Sequence, residues 1–239
     1  GHPVEHPGRP PAPIAPGERP RTPPPHLPAL LAAGETRLSA EQIYPRLFDA
    51  ILEQRLPPGA LLPEQALGHA FGVSRTVIRR VLGRLSDQQV VVQRPSHTAH
   101  LAAPDPDQAR QVLSARRLAE TTLITLAAQR ARPAQVRQLR QLVDRERQHH
   151  ESGERCAAIR LGGEFHLKLA QVAANAPLAR FLNGLVPMTS LIIARYESPC
   201  CDHCAWQEHA AIIDAVEQGN AEAALGLMHK HLDRLEEKL

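Results

Sequence analysis

Three histidines and a cluster of arginines are the residues of this chain whose types and spacing point to chemistry. His166 follows Glu164-Phe165 in an apolar stretch, His209 sits in Trp206-Gln-Glu-His-Ala-Ala-Ile-Ile213, and His231 in Met228-His-Lys-His-Leu232. Each falls on a different predicted helix, at or near its apolar face, where an imidazole buried without a partner is costly. Three imidazoles converging from three helices would satisfy zinc or a similar divalent ion and leave a position open for an exchangeable ligand. The chain has thirteen histidines, so three separately satisfied core histidines remain the competing reading.

The arginines lie in Gly72-Val-Ser-Arg-Thr-Val-Ile-Arg-Arg-Val-Leu-Gly-Arg-Leu85. Val77, Val81 and Leu85, with Ile78 and Leu82, recur at helical spacing and mark a buried face. Ser74 stands where an N-cap belongs. Arg75 and Arg79 are four apart and share a face beside the apolar stripe. A short helix presenting Ser74, Arg75, Thr76 and Arg79 from its first turns suits the DNA major groove, with side chains on base edges and amides and hydroxyls on phosphate. The plainer alternative is an amphipathic surface helix with solvated arginines.

Two smaller groups complete the inventory. Arg116 and Glu120 are four apart, either an intrahelical ion pair or a cavity guanidinium suited to gripping a carboxylate. Arg195 is a second candidate for that grip. Cys200, Cys201, His203 and Cys204 form a dense loop in which Cys201 and Cys204 have CxxC spacing, suited to zinc or a redox switch. A single CxxC is equally an ordinary loop.

The elements that must position these residues are readable from pattern. Residues 41–55 carry Ile43, Leu47, Phe48, Ile51 and Leu52 at helical spacing and end at Leu56-Pro-Pro-Gly59. Leu62 to Phe71 gives a second short helix with Pro63 at its first turn, and Gly72 forms the turn before the arginine helix. Together they make a helix-turn-helix. Gln89-Val-Val-Val-Gln93, a turn at Arg94-Pro-Ser-His97, and Thr98-Ala-His-Leu101 read as a two-stranded wing. From Asp105 onward the pattern is helical, with six helices expected at about 105–130, 133–151, 154–174, 177–196, 205–218 and 220–237. Aromatic residues make up 3% of the chain, which favours helices packed on helices.

Charge follows the same division. Residues 36–103 hold eight Arg against five Asp or Glu, whereas residues 104–239 hold seventeen basic and seventeen acidic groups. The first 35 residues are also balanced, so the whole formal charge of +3 sits in the helix-turn-helix segment, as phosphate binding requires. Residues 1–35 contain eleven of the 22 prolines and are expected to be a disordered tail that packs no core. The chain opens Gly-His without a methionine, as a processing product would. No stretch reads as long and apolar enough to cross a membrane, and four cysteines without a regular framework fit a reducing cytoplasm.

Leu56-Pro-Pro-Gly59, Leu62-Pro-Glu64 and Gly72-Val-Ser-Arg-Thr-Val-Ile-Arg79 resemble the winged-helix domain of the GntR family of bacterial transcription regulators. The resemblance covers residues 38–103 and implies DNA contacts at Ser74, Arg75, Thr76, Arg79 and the wing tip His97. Gln65 stands where the family often has arginine, and it keeps the capacity to bond a base or phosphate but brings no charge. Thr98 stands where a glycine usually follows the wing tip.

Over residues 105–237, Arg116-Arg-Leu-Ala-Glu120, Glu164-Phe-His166, Asn175-Ala-Pro177, His209 and Met228-His-Lys-His231 resemble the FCD effector domain of the FadR branch. That resemblance implies a divalent metal, zinc or nickel, held by His166, His209 and His231, and a small carboxylate effector. The family's aspartate four residues before the first histidine is here Gly162. Glu164 cannot replace it, because two residues back points to the opposite face of the helix. A thiolate from the Cys200–Cys204 loop is a candidate substitute.

The expected protein is mainly α. It has a disordered tail (1–35), a winged helix-turn-helix DNA-binding domain (36–103) and a C-terminal six-helix FCD domain for effector binding and dimerisation (104–239). The expected function is a cytoplasmic bacterial repressor, not an enzyme, binding operator DNA as a homodimer without a membrane partner and controlled by a small organic acid. Alternatives are a metal or redox sensor using the cysteine loop, or a three-His metalloenzyme with a DNA-targeting domain.

Overall fold

The computed structural model describes residues 37–197 and 204–238. The proline-rich tail, and Cys200, Cys201 and His203 of the cysteine loop, lie outside the described residues. Helix α1 (Ala40–Leu52) starts at a capping box, with the Gln42 amide donating to the Ser39 hydroxyl at 3.3 Å and the Ser39 amide to the Gln42 side chain at 2.9 Å. It buries Ile43, Leu47, Phe48, Ile51 and Leu52. Helices α2 (Glu64–Phe71) and α3 (Arg75–Asp87) follow.

The turn between α2 and α3 depends on two glycines. Gly72 ends α2 in the left-handed region at φ 68° and ψ 33°. A Cβ on Gly68 would stand 2.9 Å from the Val73 carbonyl oxygen, so only glycine lets the backbone double back this closely. Ser74 then caps α3, accepting from the Val77 amide at 3.4 Å. Strands β1 (Val91–Val92) and β2 (His100–Leu101) pair antiparallel, Val91 opposite Leu101 and Val92 opposite His100. A further bridge from His100 to Leu61 ties this wing to the segment ahead of α2.

The C-terminal part comprises α4 (Pro106–Arg130), α5 (Pro133–Glu151), α6 (Arg155–Val172), α7 (Ala176–Asn183), α8 (Val186–Tyr196), α9 (Ala205–Glu217) and α10 (Ala221–Glu236). The mainly α reading with a two-stranded wing holds. The six-helix count does not, because the helix expected over 177–196 is two. Pro187 lies in the first turn of α8 and has no N–H to offer the Asn183 carbonyl, so the chain breaks at Gly184-Leu185. The membrane expectation also needs correcting. Ala176–Tyr196, 21 residues, contains an 18-residue window with a mean hydropathy of 1.3, enough by length and composition to span a bilayer. Its α8 part is instead buried in the protein.

Two apolar cores form. The bundle core joins residues of α4, α5, α6, α9 and α10, among them Leu123, Leu139, Phe165, Ile212 and Met228. The winged-helix core contains Ile43, Phe48, Leu67, Ile78 and Leu82, and is closed by Met188, Leu191, Ile192 and Ala194 of α8. An ion pair crosses the same junction. Arg160 on α6 donates to both carboxylate oxygens of Asp49 on α1, at 2.7 and 3.3 Å, and to Glu164 at 3.2 Å. The Arg160 side chain is only 10% exposed, so Asp49 cannot simply be traded for water. Arg160→Ala is expected to lower the unfolding free energy by about 1–3 kcal/mol, read as a drop in the urea midpoint. An unchanged midpoint would show that the pair contributes nothing to the junction.

Candidate metal centre and DNA-reading face

His166 from α6, His209 from α9 and His231 from α10 are each 2–3% exposed. Their Nε2 atoms form a triangle with edges of 3.2 Å (His166–His209), 3.0 Å (His166–His231) and 3.3 Å (His209–His231). Each Nδ1 faces a carboxylate. His166 meets Glu120 of α4 at 2.9 Å, His209 meets Glu146 of α5 at 2.8 Å, and His231 meets Glu208 of α9 at 2.9 Å. A carboxylate at Nδ1 places the proton there and leaves Nε2 as a bare lone pair. Burial drives the His166 pKa well below its usual value and that of His231 down to about 3. Three Nε2 atoms therefore meet at one point, an arrangement that could hold a shared metal ion.

The triangle has the right size for one. Nitrogens about 2.05 Å from one zinc ion lie about 3.3 Å apart at tetrahedral angles and about 2.9 Å apart at right angles. The observed edges fall between those limits, so the donor set fits a divalent metal with at least one position left for another ligand.

No carboxylate completes the set from position 162. A Cβ on Gly162 would meet Glu146 Oε1 and His209 Cε1, each at 3.2 Å, so Glu146 already occupies the space beside that position. Glu164 turns away to Arg160, as its helical offset requires. Among the described cysteines, Cys204 lies 3.3 Å from His150 Nε2 rather than in the triad.

A cavity of about 350 Å³ opens beside the triad. Arg116 lines it at 2% exposure, its guanidinium 3.7 Å from Glu120 and its Nε without a hydrogen-bond partner. The two sequence readings of Arg116 thus meet in one side chain: it is a loose neighbour of Glu120 and a wall of the cavity. Burial pulls its pKa down and Glu120 opposes the shift, while burial raises the Glu120 pKa and Arg116 opposes that. Arg195 is half-buried at the end of α8 and is not among the cavity-lining residues. Arg155, at the start of α6, lines the cavity instead.

The sequence reading missed the three carboxylates as supports. Glu146 carried a signal, since Val136, Leu139, Val143 and Glu146 share the buried stripe of α5. An acidic residue on such a stripe needs a partner. Glu208 gave none, because it serves His231 rather than its sequence neighbour.

On the other face, Ser74, Arg75, Thr76 and Arg79 are exposed along the start of α3, Gln65 is exposed on α2, and His97 is exposed at the wing tip. Glu64, at the start of α2, receives Arg79 Nε at 2.9 Å and Arg75 Nη2 at 3.3 Å. One carboxylate thus gathers both guanidinium groups on the exposed side of α3. It was not expected from sequence.

Known proteins were compared with this chain. Residues 39–99 match "Bacterial regulatory proteins, gntR family", and residues 111–234 match the "FCD domain". The chain is 28% identical over 199 residues to the Uxu operon regulator of Haemophilus influenzae, covering 76% of this chain and 74% of that protein. It is 27% identical over 198 residues to a probable D-xylose utilization operon transcriptional repressor of Paenarthrobacter nicotinovorans, covering 81% and 85%. The solved structure of Escherichia coli McbR/YncC superposes with a TM-score of 0.65 at 19% identity, over 82% of this chain and 93% of that one, a likeness of fold.

Replacing a carboxylate behind a ligating histidine typically weakens metal affinity about 10- to 100-fold. Glu146→Ala is expected to do so here, and His209→Ala to remove stoichiometric zinc altogether, both read by competition with a chromophoric chelator. Undiminished zinc in His209→Ala would rule out the triad as the site.

Proposed function

Because the chain belongs to the GntR family of bacterial regulatory proteins and carries an FCD domain, we propose that it is a metal-dependent repressor released from its operator by a small carboxylic acid. Its membership makes it a transcriptional regulator and not an enzyme. Repression rests on the relative named a repressor. The work is done on DNA in the bacterial cytoplasm by a homodimer, since one recognition helix spans too few base pairs for useful specificity.

Arg116 supports the acid reading most directly. A guanidinium at 2% exposure, with its Nε unpartnered and its nearest carboxylate 3.7 Å away on Glu120, is costly to bury. A carboxylate entering beside the triad would relieve it through charge-assisted hydrogen bonds. A zinc ion on His166, His209 and His231 would supply Lewis acidity toward the same carboxylate. Glu120, Glu146 and Glu208 keep the three rings aimed.

The cavity wall also suggests how occupancy reaches DNA. Ile159 and Ser190 line the cavity, on helices α6 and α8. The same two helices pack against α1, through Arg160 to Asp49 and through Met188 and Ile192 in the winged-helix core. An acid that fits one placement of α6 and α8 better than another shifts the winged helices with them, by as much as its affinities for the two differ.

Gel shifts with the DNA upstream of its own gene test this reading. Arg79→Ala should weaken operator binding about 10- to 100-fold, corresponding to the loss of a base contact worth about 1–3 kcal/mol. Arg116→Gln should bind the operator normally and fail to release it when acid is added. Release by oxidant and by no acid would replace this reading with a redox sensor.

A further inference from the structure

The walls of the cavity beyond the triad carry information about the rest of the effector. Resting on the acid-sensor reading above, we infer that the effector is a single-headed acid with an apolar body, an acyl chain or one aromatic ring, rather than a dicarboxylate or a polyhydroxylated sugar acid.

Size comes first. A volume of about 350 Å³ has room for about twelve waters at roughly 30 Å³ each. A two- or three-carbon acid would leave most of it wet. Beyond Arg116 and the histidines, Ala158 and Ile159 of α6, Ile193 of α8, Trp206 of α9 and Leu235 of α10 form an apolar sleeve. Such a sleeve favours CH₂ groups or a ring over water.

The polar groups on the same walls are already engaged with one another. Arg155 donates to the carbonyls of Ile193 and Glu197 at 3.2 and 3.1 Å. Lys238 holds Glu197 at 2.7 Å. The Ser190 hydroxyl turns to the Val186 carbonyl at 3.4 Å, and His150 lies against Cys204 at 3.3 Å. Glu146 is committed to His209. A second carboxylate would have to displace the carbonyls from Arg155 or Glu197 from Lys238, and a row of hydroxyls would be buried without partners, which is unfavourable for each one. The Trp206 indole Nε1 is buried without a partner.

Calorimetry on the full-length, zinc-loaded protein tests the inference with acetate, butyrate, hexanoate, octanoate, phenylacetate, succinate and glucuronate. Affinity should climb about fourfold per methylene, from about 0.8 kcal/mol per buried CH₂, until the sleeve is full. Phenylacetate should bind, and glucuronate and succinate should bind at least tenfold more weakly than hexanoate. Ala158→Leu, which shortens the sleeve, should move the optimum to shorter acids, with a thermal melt confirming that the variant is folded. A flat series from acetate onward, tighter binding of glucuronate or succinate than hexanoate, or an unmoved optimum would overturn the apolar body while leaving the acid-sensor reading in place. Binding of no acid at all would overturn both.

Discussion

Three buried imidazoles with their Nε2 atoms facing one another are the constraint around which the C-terminal half is built. Each ring has a carboxylate behind it to fix the proton on Nδ1, and two of these, Glu120 and Glu146, are themselves buried. Glu120, Glu146, His166, His209 and His231 come from five different helices, α4, α5, α6, α9 and α10. The polar centre is therefore a point where most of the bundle must agree on its spacing. Displacing any one helix would leave a buried carboxylate or imidazole without its partner, a cost of the same order as losing a core side chain. The surrounding apolar core supplies bulk stability, and the polar centre selects one arrangement among the many that such a core permits.

How much of this was readable in the sequence depended on the range of the interaction. Local features were plain. The cap at Ser74, the glycine turn at Gly72 and the arginine face of α3 are all fixed by residues within four positions of one another. The division of 177–196 into α7 and α8 was hidden because a continuous apolar run looks the same whether one helix or two carry it. Pro187 was the available signal. The gathering of His166, His209 and His231 was legible as a possibility only, since spacing along the chain says nothing of which helix faces meet. Glu146 beside His209, Glu208 beside His231 and Glu64 beneath two arginines are long-range pairs. Periodicity marks such residues as buried or polar but cannot name their partners.

The placement of Arg116 shows why an apparently ordinary i, i+4 pair is not one. In water, the Arg116–Glu120 pair would add a few tenths of a kcal/mol to a helix. Here both side chains are buried and 3.7 Å apart, and Glu120 is engaged by His166. The carboxylate is shared between a ring it must orient and a guanidinium it only partly compensates. The residual positive charge then faces the cavity, where low dielectric strengthens its attraction for an anion. Proximity in sequence supplied the pair, but burial and a third partner decide what it does.

The contribution of α8 to the winged-helix core bears on how such regulators diversify. Met188, Leu191, Ile192 and Ala194 lie more than eighty residues beyond the wing in sequence, yet they close the hydrophobic interior of the DNA-binding part. Two units that look separable along the chain share a seam in space. A hybrid made by fusing this reading head to another sensor would inherit a mismatched seam, and the graft would take only if α8 travelled with the head or its new counterpart were recut to the same surface. Modularity in the order of the genes' segments is therefore not modularity in the fold, and exchange of heads between lineages is limited by that hidden fit.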